Sequence, residues 1–160
     1  MKKVNYYKHP QKNFVCLMIA NNLFDKDDEF LSKLLKMIKL FNNDGLTMIC
    51  NFFANNNDNF SNDLNKLFGN RIKTLFTKRK LFSKTEYGKK QVSFNEKELN
   101  EILVSAIKYD ASPEIEARDE QGLLLFQMVL NDNEGTFINF NIKELELNQI
   151  KTKINQILND

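Results

Sequence analysis

Residues 46 to 55, LTMICNFFAN, constrain the fold more than any other stretch of the chain. Leu46, Ile49, Phe52 and Phe53 recur at helical spacing, yet the same run reads equally well as a buried strand. The run FVCLMIA, residues 14 to 20, carries the same ambiguity. If both are strands, the helix between them crosses as a parallel βαβ unit and the chain is α/β. If residues 46 to 55 are helical, they open a helical core and the strands fall later, in an α+β arrangement. We take the α+β reading as the expectation, with parallel strands at 13–20 and 46–53 as the alternative.

The rest of the chain is less equivocal. Residues 28 to 42, DEFLSKLLKMIKLFN, repeat apolar side chains every three or four positions, with lysines assigned to the other face. Asp27, Asp28 and Glu29 suit the start of that helix, and Asn43, Asp44 and Gly45 its end. Ser61 is the expected N-cap of a short helix that breaks at Gly69. A second helix is expected over 70–80, with Ile72, Leu75 and Phe76 inward, followed by a hairpin over 81–94 that turns near Gly88. Asn95 and Glu98 have capping-box spacing and open a helix through Lys108. EIEAR, LLLFQMVL and TFINFNI then read as three strands, joined by the turns DEQG and NDNEG. A helix over 145–159 closes the chain.

Charge is segregated. Residues 1 to 12 carry +4 and residues 71 to 90 carry +7, which leaves −9 for the remainder of a chain of net charge +2. The abundance of Asn, Lys and Phe and the absence of Trp point to an A/T-rich genome, that of a low-GC bacterium, its phage or plasmid, or a eukaryotic virus. Codon bias sets how many lysines there are but not where they cluster, so a basic face is expected.

Several chemistries find no support. His9 is the single histidine, which argues against Ser-His-Asp or Cys-His catalysis. The five glycines are scattered, with neither a P-loop nor GxGxxG. Cys16 and Cys50 sit in apolar runs and read as buried thiols of a reducing compartment. DKDDE, residues 25 to 29, reads as a helix start and not a metal site, and NDNEG as a turn and not a calcium loop. Glu114 and Glu116 share a face of EIEAR, as nuclease acids do, but LLLFQMVL adds no acid or lysine, so a solvated strand is expected. No apolar run approaches the ~20 residues that span a bilayer. The polar residues after FVCLMIA argue against a secretory signal, and a cytoplasmic location is expected, or host cytoplasm or nucleus if the source is viral.

Residues 48 to 94 combine an apolar segment, a polar bend, the capped helix DLNKLFG, a basic segment and a Lys-rich hairpin. This order resembles the winged helix-turn-helix superfamily, with Leu64 and Leu67 as core positions and Gly69 in the turn. The resemblance implies that Asn70, Arg71, Lys73 and Thr74 lie nearest base edges. It also implies that Thr77, Lys78 and Lys80 reach phosphates and that Lys84, Lys89 and Lys90 form the wing, and Arg79 is counted with them as a nucleic-acid-binding residue. The expected architecture is therefore a winged-helix-like region over 1–110 and a meander with a C-terminal helix over 111–160, packed as one unit. The expected function is non-enzymatic nucleic-acid binding, regulatory or replication-linked, with double-stranded DNA as partner and no cofactor. The alternative is a small phage- or plasmid-encoded inhibitor or immunity protein that binds a protein. A homodimer is a further partner reading, and no membrane is involved.

Overall fold

A computed structural model describes residues 5–8, 14–19, 27–40, 47–55, 58–79, 86–132, 135–141 and 144–160. The fold is α+β, with one antiparallel sheet and four α-helices among these residues. The strands are β1 (Asn5–Lys8), β2 (Phe14–Ile19), β3 (Thr47–Asn55), β4 (Lys73–Arg79), β5 (Glu86–Phe94), β6 (Glu114–Arg118), β7 (Leu124–Asp132) and β8 (Gly135–Asn141). Their spatial order is β1-β2-β8-β7-β6-β3-β5-β4. The helices are α1 (Asp27–Lys39), α2 (Asn59–Phe68), α3 (Glu96–Lys108) and α4 (Glu144–Asn159).

Residues 47 to 55 are thus a strand, and the winged-helix arrangement of elements is corrected. The expected second helix is also a strand, β4, reached from α2 through a single 3-10 turn at Gly69–Arg71. The parallel alternative falls as well. β3 is antiparallel to both its neighbours, β5 and β6, and β2 pairs with β1 and β8. Gly88 lies inside β5 and not at a turn, and the basic hairpin is formed by β4 and β5.

Strand alternation splits β3 cleanly. Met48, Cys50, Phe52 and Ala54 face a common core with Val92 and Phe94 of β5, Ile115 and Ala117 of β6, and Phe126, Met128 and Leu130 of β7. The helices supply Met37, Phe60, Leu64, Leu99, Ile102, Leu103, Ile154 and Leu158 to the same cluster. The core is therefore one layer between four helices and one face of the sheet.

Local signals explain the helix ends. Asp58, and not Ser61, caps α2: its carboxylate accepts from the Phe60 amide at 3.0 Å, while Ser61 is buried within the helix. Gly69 closes α2 at φ 49°, a left-handed geometry suited to glycine. The Asn95–Glu98 capping box of α3 is present in both directions. Lys33 departs from the solvated stripe expected of α1. It is buried, donates to the Leu158 carbonyl at the end of α4 at 3.1 Å, and pairs with Glu29 at 3.1 Å. A cation at a helix C-terminus is favoured by the dipole, and here it joins the first helix to the last.

Candidate functional site

The second face of the sheet has a different chemistry. Ile49, Asn51 and Phe53 of β3 lie on it, in register with Ser93, Gln91 and Lys89 of β5, and with Glu116 and Glu114 of β6. Beyond them, Gln127 of β7 is opposite Glu116, and Asn139 of β8 is opposite Gln127. Hydrogen bonds tie these groups across the strands. Gln91 Nε2 donates to Asn51 Oδ1 at 2.8 Å, Gln127 Nε2 to Glu114 Oε1 at 2.8 Å, and Asn139 Nδ2 to Gln127 Oε1 at 3.2 Å.

Glu114 and Glu116 lie at the centre, side by side on this face of β6, so the solvated-strand expectation for EIEAR is corrected: Glu116 is buried. Burial and the neighbouring Glu114 hold the Glu116 carboxyl above the ordinary carboxylate range, against the pull of Arg118, whose Nε donates to it at 2.9 Å. Burial also works to raise Glu114. Hydrogen bonds from Glu116 and Gln127, with the charges of Lys89 and Arg118, outweigh it and hold Glu114 below that range. Of the two, Glu114 therefore gives up its proton first.

Toward β4 the face becomes aromatic and cationic. Phe53 is 50% exposed and Phe76 41% exposed, large values for phenylalanine. Their rings meet edge to face, with centroids 6.5 Å apart. The Lys89 ammonium lies 5.9 Å from the Phe53 centroid, and that of Lys78 lies 6.0 Å from the Phe76 centroid. Lys89 is the register partner of both Phe53 and Phe76, and Lys73 is opposite Gln91. Alternation thus brings Lys73, Phe76 and Lys78 of β4 to the same side as Lys89 and Phe53.

The residues expected to touch nucleic acid are divided by this geometry. Lys73, Lys78 and Lys89 converge on the aromatic corner. Thr74 and Thr77 pair with Lys90 and Gly88 and so belong to the opposite side, as Lys90 does. Asn70 is exposed in the 3-10 turn, and Arg71 is engaged by Glu98 and the Ser93 carbonyl. Arg79 ends β4. Lys80 and Lys84 lie outside the described residues, as do Asp25 of DKDDE and His9. Cys50 is a buried free thiol, as expected, and burial pushes its thiol up; the side chain of Cys16 lies outside the described residues.

Asn51 escaped the sequence reading, while Phe53 entered it only as an apolar position of a helix or buried strand and Glu114 only as part of a solvated strand. The signal for Asn51 and Phe53 is present in MICNFFAN when it is counted by twos: the even positions are uniformly apolar, and Asn51 and Asn55 interrupt the odd ones. Among the described residues no cluster of three or more His, Cys, Asp or Glu is placed to hold a metal, and no helix is long and apolar enough to cross a membrane. In comparisons with known proteins, no family model, curated protein or solved structure matches this chain.

Proposed function

We propose that this protein binds single-stranded nucleic acid on the β3-β5-β4 corner of the sheet, without catalysis. One observation carries the reading: two half-exposed phenylalanines lie side by side on an antiparallel sheet, each with a lysine ammonium beside its ring. Exposed rings are stacking platforms for unpaired bases, and the flanking lysines suit the phosphates between them. The basic segment is an edge strand and not a helix, so it offers no recognition helix to the major groove of a duplex.

The test is fluorescence anisotropy with a labelled single strand and the matching duplex over a range of salt. The single strand is expected to bind more tightly, with affinity falling steeply as salt rises. Phe53→Ala and Phe76→Ala are each expected to weaken it by about 1–3 kcal/mol, the worth of one stacked base. Lys78→Glu and Lys89→Glu should weaken it and flatten the salt dependence. Absence of binding at low salt, or unchanged affinity in both phenylalanine variants, would defeat the reading.

A second reading has its own observation. β4 is an edge strand with Leu75 exposed, the arrangement that accepts an extended segment of a protein partner by strand addition. That reading expects a defined partner to co-purify and to survive high salt.

A further inference from the structure

We propose that the corner formed by Phe53, Asn51 and Glu114 reads a guanine base. The inference rests on the nucleic-acid reading above and adds the base that the face selects. Asn51 and Phe53 are successive same-face residues of β3, about 6.7 Å apart along the strand. Glu114 is the direct register partner of Asn51 on β6, and Lys89 that of Phe53 on β5. A platform, an amide, a carboxylate and an ammonium therefore occupy neighbouring positions of one face.

Two features point to a ligand with both donors and an acceptor. Asn51 is only 5% exposed, yet its side chain is half used. Its Oδ1 accepts from Gln91, and its Nδ2 has no hydrogen-bond partner among the described residues. Turning both amides over would only exchange which atom of Asn51 is left over. Buried polar groups are nearly always paired, so a leftover amide two residues from an exposed ring marks the place of a ligand atom. The second feature is the carboxylate of Glu114. Its Oε1 accepts from Gln127, and a carboxylate has lone pairs to accept more than this one bond. Held below the ordinary carboxylate range, it is ionised at neutral pH. A negative charge on this face repels phosphate and is matched by an edge that donates.

Among the bases, guanine presents two adjacent donors, N1–H and N2–H, beside one acceptor, O6. Stacked on Phe53, it can direct both donors at Glu114 and leave O6 toward Asn51 Nδ2 and the Lys89 ammonium. Uracil and thymine present a single N–H between two carbonyls, which meet the carboxylate with repulsion. Adenine and cytosine offer one amine beside an acceptor nitrogen. Bidentate pairing of this kind discriminates strongly between bases.

The full chain is titrated with a labelled uridine oligomer, with the same oligomer carrying one central guanosine, and with inosine in that place. The guanosine oligomer is expected to bind about tenfold more tightly than the uridine oligomer. Inosine, which lacks the N2 amine, should fall between them. Glu114→Gln should bind the guanosine and uridine oligomers equally. The inosine comparison changes only the ligand, so it stands whether or not the variant folds. Equal affinity of the unaltered protein for guanosine and uridine oligomers overturns the guanine inference and leaves the nucleic-acid reading in place. Binding of no oligomer overturns both. Unlabelled GMP and UMP then separate the sources of the base. Displacement by GMP alone assigns the guanine to a free nucleotide, and persistence of the complex assigns it to a strand.

Discussion

Arg71 belongs to the most basic stretch of the chain, yet its guanidinium faces inward to its own protein. It donates to Glu98 at 2.6 and 3.1 Å and to the Ser93 carbonyl at 2.7 Å, a forked geometry that lysine could not reproduce. Glu98 in turn accepts from the Asn95 amide in the capping box of α3. One carboxylate thus joins the 3-10 turn after α2 to the start of α3. The hydrogen bond from Arg71 holds Glu98 below the ordinary carboxylate range, with the Asn95 amide acting in the same direction. A depressed folded value means that the unfolded chain takes up the proton first. The contribution is therefore present above the unfolded value, about 4.3, and is lost as pH falls through the folded value. Glu98→Gln is expected to lower the thermal midpoint modestly at neutral pH, within the range of a surface pair. The gap between variant and unaltered protein should close in acid, as read by unfolding at a series of pH values. A gap that persists unchanged at low pH would mean that the carboxylate charge is not what holds these elements.

Strand β4 shows how an element can carry a misleading pattern. Ile72, Leu75 and Phe76 have helical spacing, but Leu75 and Phe76 are exposed on β4, which is the edge strand of the sheet with β5 as its strand partner among the described residues. Residues 73 to 78 are all exposed, so no buried face imposes alternation here, and the bulge between Thr74 and Phe76 disrupts what period remains. What pins it is the close approach of β5 at Gly88. A Cβ at that position would meet the Phe76 carbonyl oxygen at 2.7 Å. Gly88→Ala is expected to cost about 1–3 kcal/mol, by the usual penalty for overpacking, and to loosen β4 selectively. Hydrogen exchange should show faster exchange at β4 amides with β6 and β7 unchanged. Loss of protection throughout the sheet would instead make β4 part of the cooperative core. The capping box of α3 and the turn at Asp119–Gly122 were legible because their signals are local: the Asp119 carboxylate accepts from the Gln121 and Leu123 amides, and Gly122 sits at φ 80°. β3 and β4 were not, because the partners that choose strand over helix lie far away in sequence.

At the scale of the molecule, chain order and sheet order disagree. The strands that follow Pro113 lie between β2 and β3, so the later part of the chain completes the middle of a sheet begun by the earlier part. Residues 1–110 expressed alone would lack β8, one of the two partners of β2, and β6, one of the two partners of β3. That fragment is expected to show no cooperative unfolding transition by circular dichroism, whereas the full chain should show one. A cooperative transition in the fragment would mean that β3, β4 and β5 with α2 and α3 form a sufficient core. The local features were legible in the sequence: the presence and place of α1, α3 and α4, the meander β6-β7-β8, the segregation of positive charge and the burial of Cys50. Each depends on residues close together in the chain, on side-chain period or on a cap. Only the tertiary structure decided that residues 47 to 55 and 73 to 79 are strands, which lysines share a face with Phe53 and Phe76, and that Glu114 comes beside Asn51. Backbone hydrogen bonds to distant strands satisfy those segments in a way that no local pattern specifies, and register then fixes which side chains meet.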